Sequence, residues 1–202
     1  MSKVFSSVIN ENDARKILEP WMEMMRKNFR LAWDWVQEIL SDDPERRATF
    51  PSSTVSAMVY DRFTRLVQPD FDGKRGVTIK KIGRMVLIRI DNKISLRFKR
   101  LDRRLRSGNV PTKTQKAIYH NANYLIDVTD RSTAITFGYV PGHGDHVRGL
   151  YFTCPKNFRA NHWMIVVDDQ AASAVLFTEP PTPVELPSMT PLIAAPKVEA
   201  ND

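Results

Sequence analysis

Three aspartates and a lysine in this chain are of the types found in nucleases that cut DNA with two carboxylates, a lysine and a divalent metal. Asp61 falls in a helical pattern, Asp70 follows it, and Asp91 and Lys93 flank Asn92. In such an enzyme the carboxylates hold Mg²⁺ and the lysine positions or activates water. However, Asp70 precedes the predicted strands, and Asn92 favours a turn. A metal-dependent nuclease is therefore one alternative, and a hairpin turn at Asp91 to Lys93 is the simpler interpretation.

A second group of chemically capable residues is a glycine-rich loop with His143, Asp145 and His146, followed by Cys154 and His162. Imidazole, carboxylate and thiolate groups could ligate zinc. No Cys-x-x-Cys pair accompanies them, which favours an exposed loop and a buried cysteine that packs as a small apolar group. We assign no catalytic residue, no metal ligand and no cofactor from these patterns.

The positive charge of the chain is concentrated in residues 73–106, where thirteen Lys and Arg residues face two aspartates, Asp91 and Asp102. The whole chain carries only +7, so the remainder is close to neutral or acidic. A basic patch on such a body is typical of proteins that bind polyanions, of which nucleic acid is the commonest.

We predict that the patch contacts nucleic acid, and that charge reversal at Arg97, Arg100 and Arg104 abolishes binding while leaving the fold intact. An acidic protein partner is the alternative, and the Glu-bearing C-terminal part of the chain is a third candidate. The residues that we assign to the interface are Arg97, Lys99, Arg100, Arg103, Arg104, Arg106, Lys80 and Lys81.

Apolar residues at three- and four-residue steps predict helices in the first third of the chain. Residues 11–41 form one such segment, with Pro20 placed in the first turn of its main helix. A second helix is predicted from a cap at Pro51 to Thr54 and ends at Gln68 to Asp70.

From residue 77 the apolar period changes to two, which predicts strands. In 94–99, Ile94, Leu96 and Phe98 are expected to face the core, and Ser95, Arg97 and Lys99 to form an exposed basic face. Thr112 is predicted to cap a helix through about Asn121. The other strands are predicted at 77–82, 85–90, 135–139, 150–153 and 163–167.

The fold class that these patterns predict is α+β, with N-terminal helices packed on a mostly antiparallel sheet of about six strands. One domain is expected over residues 1–177, helical in 11–68 and β-rich in 76–168. Residues 178–202 are rich in Pro and are expected to form a flexible tail. We predict a cytoplasmic protein with no membrane segment, since it has one cysteine and no long apolar run; the oligomeric state is left open.

Several short motifs resemble a group of uncharacterised bacterial proteins whose genes often lie beside one for a helix-turn-helix protein fused to a metallo-endopeptidase-like domain. The resemblance spans roughly residues 30–168. It implies a bacterial or mobile-element protein within a regulator or toxin–antitoxin-like pair, and it brings no activity. The motifs are Arg97 to Asp102, Asn109 to Thr112, Gly138-Tyr139, Thr153 to Pro155, and Trp163.

Overall fold

The computed structural model describes residues 8–108, 132–142, 146–157 and 159–169. Within these ranges, three helices precede six strands, and the strands form one sheet that is antiparallel except at one junction. The predicted α+β class is therefore confirmed. The predicted helix from Thr112, the loop residues 143–145 and the tail 178–202 lie outside the described residues.

The helices are α1 (Glu11–Ser41), α2 (Pro44–Thr49) and α3 (Ser52–Phe71). The side chain of Asn10 caps α1 by accepting a hydrogen bond from the Asp13 backbone N–H at 2.9 Å. Pro20 lies inside α1, which begins at Glu11, so its predicted position in the first turn of the main helix is wrong. The exposed position of Pro20 explains this, because water can satisfy a carbonyl that loses its helical donor.

The second long helix also extends past its predicted end. Pro69 is inside α3, which continues to Phe71. Phe71 is fully buried and stacks on Trp21 of α1, with 4.5 Å between ring centroids. This packing favours continuing the helix one residue past Asp70 over the stop that proline alone would predict.

The sheet has the strand order β1-β2-β3-β4-β5-β6. Neighbours pair antiparallel, except that β3 and β4 pair parallel from Ile94↔Thr133 to Arg100↔Tyr139. A parallel pair requires a crossover connection, which explains the long segment between β3 and β4. The strands are β1 (Val77–Ile82), β2 (Met85–Ile90), β3 (Ile94–Arg100), β4 (Thr133–Pro141), β5 (Val147–Pro155) and β6 (Asn161–Asp169).

Tight turns close the first two hairpins. Asp91 and Asn92 have φ of 50° and 53°, and the Lys93 N–H donates to the Ile90 carbonyl at 3.0 Å. Positive φ at both central residues is the geometry of a two-residue hairpin turn, which Asn and Asp tolerate. The hairpin interpretation of Asp91 to Lys93 is thus confirmed.

The main core lies between the helices and one face of the sheet. Phe98 is central: its ring centroid is 4.3 Å from that of Phe63 on α3 and 5.8 Å from those of Phe137 and Tyr139 on β4. Only 4% of Phe98 is exposed, so its predicted inward orientation is confirmed.

The opposite face of β3 is not the exposed basic surface that alternation predicts. Ser95 and Arg97 are buried, and Lys99 is half-buried. Leu101 and Leu105, which follow β3, pack with Val140 and Tyr151 into a second apolar cluster on this face of the sheet. Alternation identifies the two faces of a strand correctly, but it does not reveal that both are covered.

The first and last strands end the sheet differently. β1 carries exposed Lys80 and Lys81, whereas β6 exposes 47% of Met164 and 46% of Val166. The helical layer reaches β6 through an ion pair of 2.6 Å between Arg30 and Asp168. Among the described residues, no helix combines the length and apolar character needed to cross a membrane.

Candidate polyanion-binding groove

A groove of about 1500 Å³ runs between α3 and the β1–β2 hairpin. The residues at the ends of β3 and β4 close one end of it. We call it the α3–hairpin groove. Four of the eight cations that the sequence assigned to an interface line it: Lys81, Lys99, Arg100 and Arg103.

The α3 wall follows from helical periodicity. Residues four apart lie on one face of a helix, and Ser52, Ser56, Tyr60, Thr64 and Gln68 follow this spacing along the groove. The opposite face of α3 is apolar and buried, which fixes the polar face toward the groove. This wall therefore presents hydroxyl and amide groups over most of the helix.

Tyr60 attaches the α3 wall to the hairpin wall. Its hydroxyl donates to the Arg84 carbonyl at 2.9 Å and accepts from the Val86 N–H at 2.8 Å. Burial raises the pKa of Tyr60, so the hydroxyl keeps its proton at neutral pH. Both bonds involve the backbone of the hairpin, and they therefore hold it at a fixed distance from the helix.

Cations outnumber carboxylates around the groove. Six basic side chains line it against two acidic ones, Asp61 and Asp102. They come from α3, the β1–β2 hairpin, β3 and the turn after β3, so the tertiary fold brings them together. The six are Arg65, Lys81, Arg84, Lys99, Arg100 and Arg103.

Two of these cations lie where β3 meets the start of α3. Arg100 donates from Nη1 to the Ser52 carbonyl at 3.3 Å and to Ser56 Oγ at 3.4 Å. Burial, and then the nearby Arg97 guanidinium, lower the pKa of Lys99. A group whose charged form is disfavoured in this way gains from the approach of an anion.

Arg97 is predicted to lie on the exposed interface, and this prediction is wrong. Only 2% of it is exposed, and its guanidinium donates to Thr136 Oγ1 at 3.0 Å and Ser107 Oγ at 3.3 Å. A side chain that is this deeply buried is not part of an exposed surface. The predicted charge reversal at Arg97 would place a carboxylate in this buried site, so we no longer expect that variant to keep its fold.

The other assigned cations lie beside the groove. Arg106 is half-buried and donates to Asp102 Oδ2 from Nε at 2.9 Å and from Nη2 at 2.7 Å. Arg104 and Lys80 are exposed but do not line the groove. The exposed basic surface is therefore smaller than the sequence predicts, and it is concave.

Sequence reasoning missed Arg65 and Arg84 as site residues. Arg84 belongs to the basic segment, but it lies in the turn between β1 and β2, where the sequence does not indicate which way a side chain points. Arg65 lies outside that segment, on α3. A signal was present for α3, since the exposed residues Ser52, Ser53 and Ala57 keep the start of its outer face small.

The carboxylates of the nuclease hypothesis are not assembled. Asp61 lines the groove, whereas Asp70 accepts a hydrogen bond of 2.6 Å from Asn28, and Asp91 is in the β2–β3 turn beside Gly76. Within the described ranges there is no group of three or more His, Cys, Asp or Glu side chains suited to a metal ion.

The histidine and cysteine candidates are likewise separate where they are described. Cys154 is fully buried, His162 is exposed on β6, and His146 is exposed just before β5. His143 and Asp145 lie outside the described residues.

Comparisons of the chain with protein-family models, curated proteins and solved structures found no match.

Proposed function

We propose that this protein binds nucleic acid through the α3–hairpin groove, without catalysis by the described residues. The observation that carries the proposal is the convergence of six cations and two carboxylates around one concave surface. Phosphate groups are the anions that such an array of Lys and Arg neutralises most often in a cell.

The exposure of four groove cations, and their lack of ion pairs with described residues, support the same proposal. Within the described part of the chain, Arg65, Lys81, Arg84 and Arg103 form no ion pair, and all four are exposed. Cations that line one groove and outnumber its two carboxylates repel one another, and an incoming polyanion relieves that repulsion. The groove is therefore electrostatically prepared for a ligand.

A charge-reversal variant tests the proposal. Lys81→Glu/Arg84→Glu/Arg103→Glu should lose retention on DNA and heparin columns. The matched control is Lys27→Glu/Lys156→Glu/Arg159→Glu, which makes the same change in net charge at exposed positions outside the groove. Circular dichroism checks that both variants fold. Equal retention of the two variants would contradict the proposal, because it would show that net charge alone determines binding.

Salt dependence distinguishes nucleic acid from an acidic protein partner. Phosphate neutralisation on duplex DNA lowers log affinity linearly with log salt, by about 0.9 per contact. Failure to bind any nucleic acid, together with salt-sensitive capture of an acidic protein that the groove variant loses, would replace the proposal with a protein-interaction function.

A further inference from the structure

We infer that the α3–hairpin groove takes one extended nucleic-acid strand and holds it by its phosphates, without reading its bases. This inference rests on the proposed function and specifies its ligand. It follows from the width of the groove, the placement of its cations and the state of its aromatic side chains.

The dimensions of the groove favour a single strand. Its α3 wall runs from Ser52 to Gln68, which at about 1.5 Å per helical residue is about 24 Å. A volume of about 1500 Å³ over that length corresponds to a channel on the order of 10 Å across. A duplex is wider than its major groove of about 12 Å, so it could only lie across the open rim of a groove of this order.

The cations are placed to follow one phosphate backbone. Arg65 lies on the helix wall, Lys81 and Arg84 lie on the hairpin wall, and Arg100 and Arg103 lie at the closed end. Charges on both walls contact the same strand between them, whereas a duplex lying across the rim would leave the closed end unused.

The aromatic side chains of the described lining are not available for stacking. They are Phe98, which is 4% exposed, and Tyr60, which is half-buried and has one face of its ring stacked on Phe98 with 6.2 Å between the centroids. Single-strand binding proteins commonly gain affinity by stacking bases on exposed aromatic rings. Without base stacking, the affinity that we expect comes from the phosphate contacts of the groove cations, which do not depend on the identity of the base.

Fluorescence anisotropy with three labelled probes tests the inference. The probes are a 12-nucleotide thymidine strand, an abasic strand of the same length and a 12-base-pair duplex. We expect the two single strands to bind within about twofold of each other, and the duplex at least about tenfold more weakly. Log affinity for the strand should fall with log salt with a slope of about −3.5, since each of the five cations named along the strand contributes about 0.7 per phosphate contact.

A steric variant without charge change tests the location. Ser53→Leu/Ala57→Leu places two larger side chains on the α3 wall and should weaken strand binding about tenfold, because each occupies space that the strand requires. Ala48→Leu/Thr49→Leu makes a comparable change at exposed positions of α2 and should bind normally. Unchanged binding by the groove variant would overturn the inference.

The outcomes separate the inference from the proposed function. Duplex binding equal to strand binding and abolished by the charge-reversal variant would overturn the inference and retain the nucleic-acid function. A tenfold loss on the abasic strand would overturn the claim that bases are not read. Failure of all three probes to bind would overturn both.

Discussion

Arg97 is a cation that the fold keeps away from water. Its neighbours in the sheet are Thr136 and Ser95, and the Ser95 hydroxyl is in turn hydrogen-bonded to that of Ser132. Burying a charged group is unfavourable unless its donors are satisfied, and the hydroxyls around Arg97 accept from it. Arg97 therefore stabilises the fold, and its charge helps to lower the pKa of Lys99. It is too deeply buried to contact a ligand.

We predict that Arg97→Ala destabilises the protein by about 2 to 4 kcal/mol, because it removes buried hydrogen bonds and leaves a void. Urea denaturation with an unchanged m-value measures this. Arg103→Ala, an exposed control, should change stability by no more than about 0.5 kcal/mol. Equal effects of the two variants would contradict the buried role of Arg97.

Asp102 organises the turn after β3. It accepts hydrogen bonds from the backbone N–H groups of Arg104 and Arg106 at 2.8 and 2.9 Å, and from the Arg106 side chain. Burial acts to raise the pKa of Asp102, but the bonds from Arg106 and Arg104 outweigh it, and the pKa lies below its ordinary 3.8.

The sign of this shift gives a pH prediction. Because the folded pKa is below the unfolded one, the stabilisation from Asp102 is complete above about pH 4 and is lost as the pH falls through the folded value. The amide resonances of Arg104 and Arg106 should shift together over that range. Asp102→Asn should abolish the shared titration, and its persistence in that variant would assign it to another group.

At the scale of elements, the junction of β3 and β4 determines how the groove is closed. Gly138 of β4 pairs with Lys99 of β3 and with Tyr151 of β5. A Cβ at Gly138 would lie 2.5 Å from Leu101 Cγ and 2.7 Å from the Lys99 carbonyl oxygen. The side chain of Leu101 occupies the space that any larger residue at 138 would need.

Gly138→Ala should therefore destabilise the protein by about 1 to 3 kcal/mol, since the contact includes backbone that cannot move independently of β3. Thermal unfolding measures this. Gly108→Ala is the matched control, because a Cβ there meets no atom of the described residues within 4 Å, and its effect should be small. Equal midpoints for the two variants would show that β3 and β4 adjust freely.

The elements that could be predicted are those whose own periodicity defines them. β1, β2 and β3 match the predicted ranges to within one residue, because alternation and the turn residues Gly83, Asp91 and Asn92 all act locally. The positions of Arg97 and Pro20, the parallel pairing of β3 with β4 and the position of Arg65 could not be predicted. Arg97, Arg65 and the β3–β4 pairing depend on segments distant in sequence, which no local pattern contains, whereas Pro20 is tolerated inside α1 because its side of the helix is exposed.

At the scale of the molecule, early and late parts of the chain depend on each other. Trp163 Nε1 on β6 donates to the Ile9 carbonyl at 2.8 Å, and the Ile9 N–H donates to Thr133 Oγ1 at 3.0 Å. The parallel pairing of β3 with β4 adds a further long-range connection. Groove residues before 104 thus rely on strands after 132 for their positions.

A fragment comprising residues 1–108 should consequently fail to fold, although it contains most of the groove. It lacks β4, so β3 would lose its parallel neighbour, and Phe98 would lose its contacts with Phe137 and Tyr139. The dispersion of amide resonances in a ¹H–¹⁵N spectrum measures this, with the full chain as reference. A well-dispersed fragment spectrum would show that the helices and first three strands form an independent unit.

The unequal ends of the sheet limit how copies of this chain can add to one another. Lysines on β1 make strand addition at that end unfavourable, whereas β6, the other edge of the sheet that the structure describes, exposes the apolar side chains of Met164 and Val166. Two copies joined through β6 would have only their β1 ends facing outward, and further growth would stop there. Aggregation through sheet edges in a concentrated stock would thus yield pairs instead of fibrils.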